Sequence, residues 1–373
     1  MAKDPKDSVN LDKVNKPESS QPFMDALRVI ALPSLVMGTL VAAPFKRVLF
    51  ARKRDGWNPR FETAVHLVKR VLDNAPHDIK LARSLADMAI PGLLLPSKVY
   101  RFKERVQVSD GSYMKCEWIW PTEEKGMRRL VKTVPDHLHT MIQSDRVFLY
   151  IHGGGFSLCS TGSHRSLLMH MSKVCQMPVY APNYRRPPEF TLKDAVDDVI
   201  RCLDRMVDHY KVPVQNIVIA GDSAGGSLAY LTLLELKRQT RSLPGLAVLL
   251  CPWVDLTDPG DQEFAEFDYL PIGRVPQFAK MASGGLELAD PRVSPAFADL
   301  TGMPPTLIHA GEVEILNSQI KRFDARLRKA GVGGELRVWK DMIHVFHMFT
   351  VLHDTPMAAF KDIKQFIAKN PIK

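Results

Sequence analysis

The sequence of 373 residues lacks the marks of several protein classes. It has 5 cysteines, an odd number without Cys-x-x-Cys spacing, and no Asn-x-Ser/Thr acceptor for N-glycosylation. These absences indicate free thiols in a reducing compartment rather than a secreted, disulfide-bonded product. His-Glu-x-x-His and Gly-x-x-x-x-Gly-Lys motifs are also missing, and no Gly-x-Gly-x-x-Gly opens a helix. The sequence therefore predicts neither a bound metal nor a nucleotide cofactor.

The basic excess is confined to one end of the chain. The formal net charge is +9, and residues 1–105 contain 19 basic and 11 acidic side chains, whereas the remainder contains 31 and 30. A nucleic-acid enzyme would spread Lys and Arg over its working face, so no nucleic-acid partner is predicted. A local excess instead favours contact with a membrane or another surface.

The N-terminal region divides into two parts. Residues 1–22 are polar without periodicity and predict a disordered tail. Val29–Phe45 is an uncharged run of 17 residues, and a basic cluster follows it: Lys46, Arg47, Arg52, Lys53 and Arg54. The run is at the lower length limit for a membrane span. Three interpretations stay open, namely a membrane anchor, a helix in the membrane interface and a buried cap helix. We predict membrane association, with a cytoplasmic protein as the alternative.

Beyond this region the pattern predicts an α/β fold. Residues 60–90 have apolar side chains at helical spacing, which predicts two helices separated near Asn74–Pro76, and a hairpin turns at Asp110-Gly111. From residue 147 short apolar runs alternate with amphipathic stretches. This pattern is typical of a mostly parallel sheet with helices on both faces. The predicted strands are Val147–Ile151, Val179–Ala181, Ile217–Ala220, Leu246–Cys251, Thr306–Ala310 and Leu336–Trp339. The predicted helices are Lys193–Tyr210, Ala224–Gln239, Ile315–Lys329 and Met357–Ala368.

Two glycine-rich motifs follow predicted strands. Gly221–Gly226 fits Gly-x-Ser-x-Gly between a strand and a helix, where a tight corner projects the Ser223 hydroxyl as a nucleophile and turns the Ala224 N–H toward a developing oxyanion. His152-Gly153-Gly154-Gly155-Phe156 follows the strand Val147–Ile151. Three successive glycines allow backbone N–H groups to approach a negative oxygen, so Gly154 and Gly155 are predicted donors beside Ala224. We expect His152 to fix this loop rather than to transfer protons.

A nucleophilic serine requires a base and an acid, which follow it in this topology. Glu314 comes just after the strand Thr306–Ala310 and is the first choice for the acid, with Glu312 the second. His344 follows the last predicted strand and is the predicted base. His347 is its competitor and is expected to start the next helix.

These motifs resemble those of the hormone-sensitive-lipase-like esterases of the α/β-hydrolase fold. The resemblance covers roughly residues 100–370 and rests on His152–Phe156, Gly221–Gly226, Tyr184–Glu189, Asp290–Pro295, Pro304–Ile308 and Asp341–Phe346. It implies Ser223 as nucleophile, His344 as base, Glu314 as acid, and Gly154, Gly155 and Ala224 as the oxyanion hole. The N-terminal apolar run makes the chain similar to membrane-anchored eukaryotic members, including steryl acetyl hydrolases and arylacetamide deacetylase-like proteins. On that likeness the endoplasmic reticulum is an expected location.

The resemblance also implies an organisation and an activity. Residues 1–22 would be a tail, 23–104 a membrane-associating segment and helical cap, and 105–373 the catalytic domain, with an insertion at about 255–290 completing the cap. The expected function is hydrolysis of short-acyl esters, acetyl esters among them, of hydrophobic alcohols in lipid metabolism. The alternatives are acyl transfer, cyclisation, or binding of a small molecule without catalysis. The sequence leaves open the substrate, the membrane topology and the oligomeric state.

Overall fold

The computed structural model describes residues 54–88, 95–96, 98–122, 128–131, 138, 141–142 and 146–372. The predicted tail 1–22 and the apolar run Val29–Phe45 lie outside these residues. Among the helices that are described, none combines the length and the apolar character needed to cross a bilayer.

A sheet of nine strands forms the centre of the described chain. The strands are β1 (Val99–Gln107), β2 (Tyr113–Pro121), β3 (Arg128–Val131), β4 (Val147–Ile151), β5 (Val179–Pro182), β6 (Ile217–Asp222), β7 (Leu246–Leu250), β8 (Thr306–Gly311) and β9 (Gly334–Trp339). Their order across the sheet is β3-β1-β2-β5-β4-β6-β7-β8-β9. Only β2 runs antiparallel to its neighbours among these strands. Every residue of β4, β6, β7 and β8 is buried, which explains why these strands consist mostly of apolar residues.

Helices cover both faces of the sheet. They are α1 (Pro59–Asp73), α2 (Ile79–Met88), α3 (Arg165–Cys175), α4 (Leu192–Asp204), α5 (Ala224–Arg238), α6 (Val275–Ser283), α7 (Asn317–Lys329) and α8 (Thr355–Lys369). Alternate strand residues enter two separate cores: α4, α5 and α7 pack on one face, and α1, α3 and α8 on the other. The predicted fold class, a mostly parallel sheet with helices on each side, is confirmed.

Most predicted elements occur within a few residues of their expected bounds, including the helix pair α1 and α2 and the β1–β2 hairpin. Three elements, α3, α6 and β3, were not predicted. In α3, eight of eleven residues are buried, and the polar side chains of Ser166, His170 and Ser172 are among them, so apolar residues alone do not mark the buried positions. The first strand also begins at Val99, before the alternation that starts at Val106.

The segment between β7 and β8 is held against the rest of the molecule by Asp268. Its carboxylate accepts the Ile315 N–H at 2.9 Å, and its backbone carbonyl accepts Lys69 Nζ of α1 at 2.8 Å. Burial raises the pKa of Asp268 to about 6. The nearby His344 acts to lower this pKa, and the nearby Glu314 acts to raise it. The folded protein therefore holds a proton at Asp268 at pH values where the unfolded chain has released it.

Replacing Asp268 with Asn should make stability less dependent on pH. A carboxyl group whose pKa is raised on folding makes its full contribution to the free energy of unfolding below its unfolded pKa of 3.8. That contribution is lost as the pH rises through the folded pKa of about 6. Between pH 5 and 8 the Asn variant should gain about 1–2 kcal/mol relative to the wild type. Urea unfolding at both pH values measures this. The exposed Asp73 on α1, changed to Asn, is the control, and an equal pH response in both variants would contradict the prediction.

Candidate active site

Ser223 occupies the corner between β6 and α5. Its backbone has φ 51 and ψ −124, a strained conformation for a residue with a side chain. The flanking glycines leave room for the corner: a Cβ on Gly221 would lie 2.4 Å from the Gly225 carbonyl oxygen, and one on Gly225 would lie 2.1 Å from the Ile151 oxygen. The predicted Gly-x-Ser-x-Gly turn thus lies between strand and helix, with its glycines at positions where no side chain fits.

The loop after β8 brings a carboxylate to the predicted base. Glu314 accepts the Gly311 N–H at 2.8 Å through one oxygen, and its other oxygen lies 2.7 Å from His344 Nδ1. Both side chains are almost completely buried. Since Nδ1 is engaged by Glu314, Nε2 is the ring nitrogen that His344 can offer to another group.

The two alternative residues lie elsewhere. The Glu312 side chain is 42% exposed and pairs with Arg54 at 3.0 Å. Arg54 Nε also lies 2.8 Å from the Asp341 carboxylate, and Trp57 Nε1 donates to the Asp341 carbonyl at 2.6 Å. These contacts form a clasp, Arg54–Trp57 on Asp341 and Glu312, which ties the start of the described chain to the loop that carries His344. Glu312 is thus part of this clasp and not a partner of His344.

His347, the other alternative, lies in a short 3₁₀ turn, Phe346–Met348. It is fully buried, and its Nε2 lies 3.1 Å from Nδ1 of His309 on β8. It therefore lies in the middle of a short turn and faces the interior, whereas the next helix begins only at Thr355, so the expectation that His347 starts that helix was wrong.

Cys251 links the serine corner to the acid and base. The Ser223 N–H donates to the carbonyl of Leu250, the residue before Cys251, at 2.9 Å. The Cys251 thiol and the polar side-chain atoms of Glu314 and His344 lie within 4.8 Å of one another. Ser223, Glu314 and His344 follow β6, β8 and β9, respectively, and so come to the same edge of the sheet, where groups at the carboxyl ends of parallel strands meet.

The side chains of Cys251, Glu314 and His344 are the donors that could hold a metal ion within the described part of the chain. Thiolate, carboxylate and imidazole are ligands that zinc accepts. A cation at this place would have to replace the proton between His344 Nδ1 and Glu314, so metal binding would compete with that hydrogen bond.

The electrostatics of His344 reflect two opposed effects. Burial lowers the pKa of His344, but the hydrogen bond and charge of Glu314, with smaller contributions from Asp268 and Asp222, raise it above 6.5 on balance. In its neutral form this imidazole can accept a proton from a hydroxyl group through Nε2.

The loop 152–156 carries unengaged backbone donors. Gly154 and Gly155 have φ values of +112 and +57, which glycine adopts readily. Among the described residues, the N–H groups of Gly154, Gly155 and Ala224 donate no hydrogen bond. His152 is buried, its ring stacks on Tyr184 at 4.4 Å, and burial lowers its pKa to about 3. A neutral, stacked imidazole fits the predicted role of fixing the loop.

Asp222 is a further buried side chain to which the sequence analysis assigned no function. Its carboxylate accepts Tyr150 Oη at 2.8 Å and the Gly153 N–H at 3.0 Å, and it lies 3.1 Å from His164 Nε2. Burial disfavours the charged form of each side chain. The charge of the partner and the hydrogen bond between them outweigh burial, so the pKa of His164 is raised and that of Asp222 is lowered. This pair fastens the glycine loop to the serine corner. In the sequence, the position of Asp222 inside the serine motif could have indicated a role for it. Nothing in the sequence around His164 indicated that it pairs with Asp222.

The insertion between β7 and β8 covers the glycine loop. A Cβ on Gly155 would lie 3.0 Å from Cδ1 of Phe278 on α6, and the Ser157 hydroxyl lies 3.2 Å from the Met281 sulfur one turn later. Tyr269 of the same insertion has its ring 6.2 Å from that of His344. Aromatic and thioether side chains of the insertion therefore lie next to the glycine loop and next to His344.

Comparison with known proteins agrees with this geometry. Residues 148–348, more than half of the chain, match a family described as having the alpha/beta hydrolase fold. An acetyl-hydrolase of Streptomyces hygroscopicus is 35% identical over 56% of this chain and 70% of its own length. An esterase of Acinetobacter venetianus is 29% identical over 66% of this chain and 82% of its own.

A solved structure, an esterase of the bacterial hormone-sensitive lipase family, superimposes with a TM-score of 0.72 at 28% identity. The superposition covers 84% of this chain and 98% of that one. The chain therefore belongs to the α/β-hydrolase family, within its hormone-sensitive-lipase group, and is a carboxylic ester hydrolase.

Proposed function

We propose that this protein hydrolyses carboxylic esters through a triad of Ser223, His344 and Glu314. The observation that carries the proposal is the buried contact of 2.7 Å between His344 Nδ1 and Glu314 Oε2, at the sheet edge where Ser223 forms its strained corner. In such a triad the acid orients the imidazole and stabilises it when it becomes charged.

In the proposed reaction Ser223 Oγ attacks the ester carbonyl carbon while His344 Nε2 accepts the hydroxyl proton. The carbonyl oxygen becomes an oxyanion, stabilised by the N–H groups of Gly154, Gly155 and Ala224. His344 returns its proton to the leaving alcohol as the bond between carbon and alcohol oxygen breaks. Water, deprotonated by His344, then attacks the acyl-enzyme and releases the acid and the free Ser223 hydroxyl.

The proposed substrate is a short-acyl ester, such as an acetyl ester, of a hydrophobic alcohol. The name of the Streptomyces relative, acetyl-hydrolase, supports the acyl group. The contacts of Phe278 with Gly155 and of Met281 with Ser157 support an apolar site with little room beside the glycine loop. We expect the alcohol to contact the insertion.

The chain divisions predicted from the sequence also stand as a proposal: a tail over 1–22, a membrane-associating segment and cap over 23–104, and a catalytic domain over 105–373. Two contacts support a cap shared by α1 and the insertion at 255–290. Lys69 Nζ donates to the Ala265 carbonyl at 2.6 Å, and Arg274 Nη2 donates to the Ala75 carbonyl at 2.5 Å.

The Ser223→Ala variant tests the nucleophile. It should lose about 10⁴-fold or more in kcat on p-nitrophenyl acetate, because no covalent intermediate can form. It should also fail to react with a fluorophosphonate probe. The exposed Ser84→Ala variant on α2 is the control. An active, unlabelled Ser223→Ala enzyme would refute the proposal. Release of free acetate, rather than an acetylated acceptor, distinguishes hydrolysis from acyl transfer.

The Glu314→Gln variant tests the acid through the pH profile. Since Glu314 raises the pKa of His344, the acid limb of kcat/KM should have its midpoint above 6.5 in the wild type and at lower pH in the variant. The value of kcat should fall by about 10²–10⁴-fold because the imidazole loses its oriented partner. Glu312→Gln is the matched control two residues away. An unmoved limb, or an equal loss in the control, would exclude Glu314 as the acid.

We further propose that Val29–Phe45 and the basic cluster after it hold the protein on a membrane, with the cytoplasm as the alternative. The support is the sequence pattern alone. The two relatives named above are bacterial, so the closer likeness to membrane-anchored eukaryotic members, and with it the endoplasmic reticulum, gains no support from them.

Flotation of the full chain with vesicles that contain phosphatidylserine tests the membrane proposal. The wild type should float with the vesicles, and a variant with Leu35→Glu and Leu40→Glu should stay behind because two charges interrupt the apolar run. Leu286→Glu, an exposed position in the insertion, is the control. Equal behaviour of wild type and double variant would contradict an anchoring role for this segment.

A further inference from the structure

A second buried hydrogen-bonded chain lies behind the proposed base. His309 on β8 contacts two partners. Its Nε2 is 3.0 Å from the carboxylate of Asp362 on α8, and its Nδ1 is 3.1 Å from Nε2 of His347. Both imidazoles are completely buried, and their rings are stacked with centroids 5.3 Å apart. We propose that His309 and His347 are positioning residues for His344, an inference that rests on the proposed function.

The direction of the hydrogen bonds follows from the partners. A carboxylate only accepts, so His309 Nε2 carries a proton and donates it to Asp362. Burial lowers the pKa of His309 and that of His347, so both rings are neutral near pH 7. His309 Nδ1 is then an acceptor, and His347 Nε2–H donates to it. His347 Nδ1 is left buried without a hydrogen-bond partner among the described residues.

An orphaned buried nitrogen has a cost that something must offset. A nonpolar side chain at position 347 would fill the same space without it. The retained imidazole makes one directional contact, the bond to His309, and this bond fixes the turn Phe346–Met348 against β8.

The backbone between His344 and His347 explains why a fixed turn matters. Val345 has φ 38 and ψ 45, a left-handed conformation that is unfavourable for a β-branched residue. Such a conformation persists only when its surroundings impose it. The imidazole before Val345 is held by Glu314, and the imidazole two residues after it is held by His309.

Both supports originate from the same strand. His309 lies in β8, and Glu314 lies in the loop that follows β8. The His309 carbonyl also accepts the N–H of Cys251 at 2.7 Å, and the Cys251 thiol lies beside Glu314 and His344. The strand that presents the acid therefore also sets the path of the base-bearing loop.

Loss of the His309–His347 bond should let the Val345 backbone relax and His344 Nε2 shift relative to Ser223. A displacement of about 1 Å can reduce a catalytic rate by about 10²-fold. Since neither histidine of the pair contacts substrate in this arrangement, the loss should appear in kcat and leave KM unchanged.

The test compares two replacements of His347 in the full chain, with p-nitrophenyl acetate as substrate. Phe keeps a ring beside Phe346 and Phe360 but cannot donate, whereas the side-chain amide of Gln can donate to His309. His347→Phe should lose at least 10-fold in kcat with KM within twofold, and His347→Gln should recover most of the loss. His170→Phe on α3 is the control, a buried histidine whose Nδ1 contacts Ser166 within its own helix.

Two further measurements separate positioning from mere destabilisation. The proton between His344 Nδ1 and Glu314 should give a far-downfield ¹H NMR signal, which should shift or broaden in His347→Phe while thermal unfolding remains cooperative. If His347→Phe does not fold, His309→Leu at the other end of the bond replaces it, since Leu cannot accept the His347 proton, with the same kcat loss and NMR change expected.

Unchanged kcat and an unchanged downfield proton in a folded variant would overturn the inference. Its failure differs from failure of the proposed function. Activity that survives Ser223→Ala would remove the triad itself, whereas a Ser223-dependent enzyme indifferent to His347→Phe would remove only the positioning role.

Discussion

Backbone crowding at one edge of the sheet is the constraint on which the rest of the structure depends. The ends of β4 and β6 approach so closely that a Cβ on Gly225 would contact the Ile151 carbonyl, and one on Gly153 would lie 2.2 Å from an Asp222 carboxylate oxygen. Only glycine fits at these positions. The close approach places the serine corner next to the glycine loop, and both proposed roles, nucleophile and oxyanion donor, require that proximity.

Buried charge at this edge is arranged in two carboxylate–imidazole pairs. Asp222 with His164 fastens the glycine loop, and Glu314 with His344 orients the proposed base. Each carboxylate also accepts a backbone N–H: Asp222 from Gly153 of the glycine loop, and Glu314 from Gly311 at the end of β8. A buried ion needs such compensation, because removal of one partner leaves an unpaired charge in a low dielectric. The two imidazoles differ in their second ring nitrogen. Nδ1 of His164 is engaged by Ser163 and Ser160, whereas Nε2 of His344 is available for chemistry.

Much of the architecture could be predicted because its signals are local. The central strands are mostly apolar, and the serine, the acid and the histidine each follow a predicted strand in the expected order. The choice between Glu312 and Glu314 could not be settled, since both follow β8 within three residues and only the path of the loop decides which one turns inward. The Asp222–His164 and His309–His347 pairs join residues 58 and 38 positions apart, and none of the three histidines has a local sequence pattern that indicates its partner.

The clasp formed by Arg54 and Trp57 has a mechanical consequence. Asp341, which these two residues bind, begins the loop that ends in the His344 imidazole. These contacts therefore join Arg54 and Trp57 to a position three residues before the proposed proton acceptor. A displacement of Arg54 and Trp57 would therefore reach the part of the enzyme whose alignment sets its rate through one ion pair, one hydrogen bond and three residues of loop.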